Sequence, residues 1–363
     1  MRSKGLLILM IILSLSIPID LISGQQPKVY SYSLSYRFEN EGIDNISIVE
    51  EDLMVPRFMN HSHQRVYVEE STHQYTITTA DPDGNQALLI DLDRVLIGGE
   101  IDGFTISYKI ESSDKPRPDL NLDEAEGTES IPDDLILKYT SPSETFTSDN
   151  EEIKILSNSI VEGKETVLEK TLALLEYIME ETEYINFEYP LYPNQTLSGG
   201  QGDCDDQSIL LISMLRSLGI PAYLQVGIVI LPNIDESGTN WNGHLANNQD
   251  GVGWHGWAMA YIPPWGWVPV DLTLGQSSDA IDVLKNAPEY GANIIPALNV
   301  SEQSYIGETL KTRDRIIDSD LYITITDSAT RVSSGTFMNQ NLLILGLGGT
   351  TAVAILLMFY YRD

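Results

Sequence analysis

The hydrophobic period of this chain changes twice, which restricts it to a mixed fold. Near the start, Tyr30, Tyr32, Leu34, Tyr36 and Phe38 alternate with Ser31, Ser33, Ser35 and Arg37, the two-residue period of a strand with one buried face. Later, Val167, Leu168, Thr171, Leu172, Leu175, Ile178 and Met179 recur at three- and four-residue steps, which is helical. Ile209, Leu210, Ile212, Met214, Leu215 and Leu218 mark a second, buried helix, stopped by Gly219 and Pro221. Ala222 to Leu231, His255 to Ile262 and Trp265 to Leu272 then read as strands, the last two joined by Pro263-Pro264. Leu321 to Thr326 alternates again. Helices first and antiparallel strands afterwards is an α+β order.

The region before the first helix has its own texture. Residues 28–112 carry short strand candidates (Ile46 to Val49, Tyr75 to Thr79, Ala87 to Leu92, Phe104 to Ile110) separated by turn formers such as Asp81-Pro82-Asp83-Gly84, and this spacing predicts a β-sandwich domain. His61, His63 and His73 lie there without a matching carboxylate pattern and read as surface histidines. Residues 113–147, with Pro116, Pro118 and Asp123-Glu124-Ala125-Glu126, read as an acidic linker. At Ser148, with Glu151 three residues later, a capping-box signature opens a second domain over 148–330.

Charge and the chain ends bound the setting. Lys+Arg 21 against Asp+Glu 53 leaves a formal charge of -32, which repels phosphate backbones and argues against a nucleic-acid partner. Arg2 and Lys4 precede an apolar run from Gly5 to Ile17, and Asp20 to Gly24 follow, the layout of a signal peptide over 1–24. Residues 341–361 contain no charge, and at about 1.5 Å each they cover about 31 Å, the thickness of a hydrocarbon core. Tyr360, Tyr361 and Arg362 supply interface anchors and a cytoplasmic charge. The expectation is a single-pass membrane protein with its bulk extracellular, consistent with sequons at Asn45, Asn60, Asn194 and Asn299.

Cys204 is the only cysteine in the chain. An exported protein uses cysteines in disulfide pairs, so an unpaired one calls for another role. It sits in Gly202-Asp203-Cys204-Asp205-Asp206 at the mouth of the buried helix, where the dipole favours a thiolate. The three acidic neighbours oppose ionisation and would have to point away from the sulfur, capping free N–H groups. His255, in Trp254-His255-Gly256-Trp257, opens one strand and Asp271 closes the next. With a short turn centred on Pro263, the two face each other, and the carboxylate aims the ring at the sulfur. His244 is the rival base, but it has no carboxylate at comparable spacing. A carboxylate calcium site at Asp203-Asp205-Asp206 lacks loop-ligand spacing. Catalytic Cys204, His255 and Asp271, with no cofactor and no metal, are therefore the site the residues support.

These motifs carry a resemblance. Gly202-Asp203-Cys204-Asp205-Asp206 with Leu215-Arg216-Ser217-Leu218-Gly219-Ile220-Pro221-Ala222 resembles the nucleophile helix of the transglutaminase-like superfamily of papain-related folds. His255-Gly256-Trp257 and Trp265-Gly266-Trp267-Val268-Pro269-Val270-Asp271 resemble its histidine and aspartate strands, over roughly residues 150 to 275. The β-region looks like the domain that precedes this core in microbial members. The resemblance implies that 148–330 is a catalytic domain in which Cys204 is nucleophile, His255 base and acid, and Asp271 orienter. It implies hydrolysis or acyl transfer on peptide or glutamine-type amides of a protein or peptide substrate. Crosslinking transglutaminases of animals carry Gly-Gln-Cys-Trp where this chain has Gly202-Asp203-Cys204-Asp205, so calcium-dependent crosslinking does not carry over. A catalytically inactive surface scaffold with the same core is the competing expectation. For the oxyanion hole, the Cys204 N–H is the natural first donor, and Gln201 and Trp254 are candidates for the second.

Overall fold

The alternation at the start of the chain builds the strand it implies. The computed structural model describes residues 27–275 and 277–332; in it Lys28–Asn40 (β1) buries Tyr30, Tyr32, Leu34, Tyr36 and Phe38, while its serines lie on the other, partly exposed face. β1 belongs to an eight-stranded curled sheet. Its other members are Gln64–Ser71 (β2), Ile101–Ser112 (β3), Ala222–Asn240 (β4), Leu245–Ile262 (β5), Gly266–Val270 (β6), Ile294–Val300 (β7) and Leu321–Arg331 (β8). The hydrogen-bonded order is β7-β4-β5-β8-β1-β3-β2, with β6 also on β5. The signal segment 1–24 and the membrane helix 341–361 expected above lie outside the described residues. Among the described residues, no helix is long and apolar enough to cross a membrane.

The expected β-domain over 28–112 is supported in part: its strands form, but they share their main sheet with the core. β8 pairs with β1 from Tyr30↔Arg331 to Asn40↔Leu321 and runs parallel to β5 from Leu245↔Ile323 to Asp250↔Ser328. A strand from the end of the described chain thus joins the first strand to the core, and both regions share one sheet. A smaller three-stranded sheet (Met54–Pro56, Gln86–Ile90, Tyr75–Thr79) and a two-stranded pair (Ile46–Ser47, Val95–Leu96) lie outside it in the N-terminal region. Phe58 ties the three-stranded sheet in, with ring contacts to Tyr32, Tyr108 and Trp254. Alternation reveals strands but says nothing about a partner almost three hundred residues away. Residues 113–147 are also more than a tether: Leu120, Ile131 and Phe146 are buried, and Asp133–Tyr139 is a short helix.

The helices follow the expected steps with shifted ends. Glu151–Ile160 (α1) is capped by Asn150, whose side chain accepts from the Glu152 and Ile153 amides, and not by Ser148. Val167–Glu181 (α2) begins with a reciprocal capping box between Thr166 and Glu169. Cys204–Ser217 (α3) is the central helix, buried from Cys204 to Arg216 and packed against β4, β5, α1 and α2. Arg216 ties down its C-terminal end, donating to the Ala222, Ser141 and Ser301 carbonyls and lying 4.2 Å from the Phe146 ring. Gly219 then turns the chain at φ +74°, a conformation that costs glycine little. The first turn of α3 is thereby held against the sheet.

Candidate active site

The site arises from a break in strand pairing along β5. One edge of β5 is taken by β8 at residues 245–250 and by β6 at residues 258–262, and neither strand pairs with the stretch between them. The N-terminus of α3 fills this gap. The Gly256 amide donates to the Cys204 sulfur, and a side chain at Gly256 would meet Asp205 Cβ at 3.1 Å. Glycine at 256 therefore permits the close approach of helix and strand. His255 and Trp257, on either side of that glycine, share a sheet face, with ring centroids 5.8 Å apart.

His255 and Asp271 meet as expected, by a different register. β5 and β6 pair Ala258 with Val270 and Ile262 with Gly266, leaving a three-residue turn centred on Pro264, not Pro263. Asp271 follows the end of β6 beside Trp257 and reaches His255 diagonally. His255 lies well inside β5 and does not open it. The contact forms nonetheless: His255 Nε2 lies 2.9 Å from Asp271 Oδ2, with both side chains buried. The other carboxylate oxygen, Oδ1, accepts from the Thr273 amide at 2.8 Å, the Leu274 amide at 2.9 Å and the Thr273 hydroxyl at 3.2 Å. Burial alone would raise the Asp271 acid, but His255 and these donors outweigh it and hold it well below the usual carboxylate range. An ionised Asp271 fixes the ring proton on Nε2. Nδ1 is left buried without a hydrogen-bond partner among the described residues, its lone pair free.

The nucleophile end is less favourable to charge. Cys204 is 4% exposed, and burial, followed by Asp203 and Asp205, pushes its thiol well above the ordinary range, with the Gly256 amide acting the other way. The acidic neighbours do not all turn away. Asp206 does, accepting from the Leu191 amide at 2.6 Å and the Asp203 amide at 3.2 Å, in the manner of a helix cap. Asp205 accepts from the Tyr305 hydroxyl at 2.8 Å. Yet Asp203, Cys204 and Asp205 each present a ligand atom within 4.8 Å of the others. His255, Asp271 and Glu289 form a second such group. Their separations would suit a cation, but His255 and Asp271 are hydrogen-bonded to each other, not aimed at a common centre.

The remaining candidates separate cleanly. His244 lies at the far end of β5, its Nδ1 3.0 Å from the Leu321 carbonyl and its ring stacked on Tyr322 at 4.2 Å, which is a packing role. Trp254 points to the opposite sheet face from His255, into the core beside Phe58, so its indole N–H is not placed to be an oxyanion donor. Glu289, buried at 4.0 Å from His255 Nε2, is the site residue that sequence reasoning missed. Its segment, Pro288–Tyr290, carries no periodic or motif signal that could have placed it there. Two cavities flank the loop after Asp271. One of about 510 Å³ is lined by Tyr184, Gln207, Leu272 and Thr273 among others; the second, of about 730 Å³, is lined by Leu274, Tyr290, Lys115 and Arg117 among others. The Cys204, His255 and Asp271 side chains line neither.

With this geometry the chain can be set beside known proteins. Residues 154–272 match the transglutaminase-like superfamily, a span that runs from α1 to just past Asp271. The chain therefore carries a transglutaminase-like domain. Among solved structures, it is similar to a candidate cysteine protease of Cytophaga hutchinsonii at 14% identity and a TM-score of 0.51, covering 88% of this chain and 96% of that one. That likeness concerns the fold, and its coverage extends beyond the core to the N-terminal strands. A candidate protease of Parabacteroides distasonis (12% identity, TM-score 0.23, covering 76% of this chain and 68% of that one) also aligns. So does a red sea bream transglutaminase (9% identity, TM-score 0.29, covering 68% of this chain and 48% of that one). No curated protein sequence matches the chain.

Proposed function

We propose that the protein is a thiol hydrolase or acyltransferase that acts on peptide or glutamine-type amides through Cys204, His255 and Asp271. The observation that carries this reading is the buried His255–Asp271 pair, with a free ring Nδ1, beside the Gly256 amide that contacts the Cys204 sulfur. In the proposed reaction His255 Nδ1 takes the thiol proton and the sulfur attacks the amide carbonyl carbon. The C–N bond then breaks, and the imidazolium returns the proton to the departing amine, leaving a thioester. Water or a second amine, deprotonated by the same nitrogen, attacks the thioester and releases Cys204 as thiol. The cavity lined by Tyr184, Gln207, Leu272 and Thr273 is the proposed entry for substrate, because its walls include Gln207, one helical turn from Cys204, and Leu272, next to Asp271. We extend the proposal to location: a secreted body on a C-terminal membrane helix, resting on the charge pattern of residues 1–24 and 341–361.

One observation favours the second reading, an inactive scaffold: Cys204 is nearly inaccessible, and burial with the Asp203, Asp205 and Asp271 carboxylates raises its thiol. Two measurements on the folded protein divide the readings. Cys204→Ala and His255→Ala are expected to abolish release of amine from a peptide library, with and without a primary amine acceptor. Reaction of folded wild-type Cys204 with a thiol-specific probe, slowed in His255→Ala, supports the enzyme. Full turnover in Cys204→Ala, or a thiol that stays inert in the folded state, supports the scaffold.

A further inference from the structure

The Asp271 carboxylate is surrounded by donors, whereas its neighbour Glu289 is not. Asp271 accepts four hydrogen bonds, from His255 Nε2, the Thr273 amide, the Thr273 hydroxyl and the Leu274 amide. Glu289 is 2% exposed, and neither of its oxygens receives a hydrogen bond from the N–H or O–H of another residue among those described. Its own amide is the one donor it has. His255, Asp271 and Glu289 nevertheless present ligand atoms within 4.8 Å of one another. Two carboxylates in such contact, out of water, cannot both be ionised. The donor count decides which is charged: the anion belongs where four donors point, and the proton where only the residue's own amide does. A protonated Glu289 also removes the unsatisfied-acceptor cost of a buried carboxylate, because its O–H then has Asp271 to donate to.

We propose that Glu289 is a positioning residue of this site, a neutral carboxylic acid that donates its proton to Asp271 and so holds that carboxylate on His255 Nε2. The groups that face it agree. From β5 comes His255, from the loop after β6 comes Asp271, from its own segment Tyr290, and from residues 113–147 Lys115. Burial, then the negative charge of Asp271, pushes the Glu289 acid well above the usual range; Lys115 acts oppositely as the weakest of these influences. The role deepens the proposed Cys204–His255–Asp271 reading and rests on it. Glu289 would touch no substrate and would act through the orientation of the imidazole.

Three measurements test it, two of them on the resting protein, so that failure of the enzymatic reading is distinguishable from failure of this one. In the infrared difference between wild type and Glu289→Gln at neutral pH, a protonated carboxylic acid band is expected to vanish with the substitution. Loss of an ionised carboxylate band instead would overturn the proposal. The downfield proton resonance of the His255–Asp271 hydrogen bond is expected to persist in Glu289→Gln, whose amide N–H₂ can still donate, and to shift or broaden away in Glu289→Leu, which fills space without a donor. An unchanged resonance in the leucine variant would overturn it. In turnover, Glu289→Gln should keep kcat within about threefold. Glu289→Leu should lower kcat by at least about tenfold at unchanged KM. A glutamine variant as impaired as the leucine variant would mean that a charge is required at 289, and would also overturn the proposal.

Discussion

The two ends of the site place carboxylates beside a reactive group with opposite results. At the hairpin, Asp271 is held by four donors and gives His255 a fixed partner. At the head of α3, Asp203 and Asp205 approach the sulfur and oppose its ionisation. Both arrangements are a titratable side chain among acids, and composition does not separate them. The difference lies in where the backbone N–H groups point. The loop after β6 turns two amides onto Asp271, whereas at the helix head Asp203 and Asp206 exchange amides in a capping box and Asp205 has the Tyr305 hydroxyl instead of a backbone donor. An acidic residue assists a site when the backbone satisfies it first.

The hairpin half of that comparison is broken most severely at Asp271. Asp271→Asn keeps an oxygen that can accept from the Thr273 and Leu274 amides, so the loop should fold unchanged. The amide nitrogen that replaces Oδ2 can no longer accept from Nε2 and favours the wrong tautomer of His255. Turnover of an amide substrate is expected to fall by about two to four orders of magnitude with KM little changed. Steady-state kinetics beside a thermal melt checks it. A loss of activity matched by a large loss of stability would mean that Asp271 is chiefly a structural clamp.

The nucleophile half is sharpened at Asp205. Asp205→Asn removes one of the three charges that raise the thiol, while its side-chain oxygen can still accept from the Tyr305 hydroxyl. The pH midpoint for alkylation of Cys204 should move down by about one unit, with labelling near neutrality up to about tenfold faster. Because the Cys204 thiol is raised in the fold, the reactive thiolate is scarce at neutral pH and labelling should climb toward alkaline pH in both proteins. An unmoved midpoint would show that Asp205 is screened from the sulfur and that burial alone sets its reactivity.

Much of this site was legible in the chain because its signals are local. A lone cysteine before a buried helix, and a histidine and an aspartate flanking a diproline turn, are patterns a few residues wide, and the structure joins His255 to Asp271 as they imply. What escaped was every feature set by distant packing. The turn has three residues instead of being centred on Pro263, so Asp271 is diagonal to His255. Ser148 lost the cap of α1 to Asn150, two residues on, because both types satisfy a helix start equally well. β8 joins β5 to β1 and merges what read as two domains, since a two-residue period carries no record of its partner. Glu289 approaches from a segment with no motif at all, and only coordinates could place its carboxyl beside Asp271.

A third buried acid, outside both halves, serves as the control for the comparison. Asp327 on β8 is buried in the core, where Tyr32 donates to its Oδ1 at 2.5 Å. Burial raises its acid from 3.8 to about 7, with the Tyr32 hydrogen bond offsetting part of the rise. An acid whose folded value lies above its unfolded value stabilises most when both states are protonated. Its contribution is therefore complete below pH 3.8 and is lost as pH rises through about 7. Asp327→Asn imitates the protonated form and still accepts from Tyr32, so it should flatten this part of the stability profile and leave the active site untouched. The expected gain over wild type is on the order of 1–2 kcal/mol at mildly alkaline pH, shrinking toward zero near pH 4, as read from denaturant midpoints across that range. A wild-type profile that instead rises with pH at this residue would mean that Asp327 is ionised in the fold. The rule drawn from the two halves of the site would then fail in the core, because an acid would hold its charge there without the backbone donors that Asp271 requires.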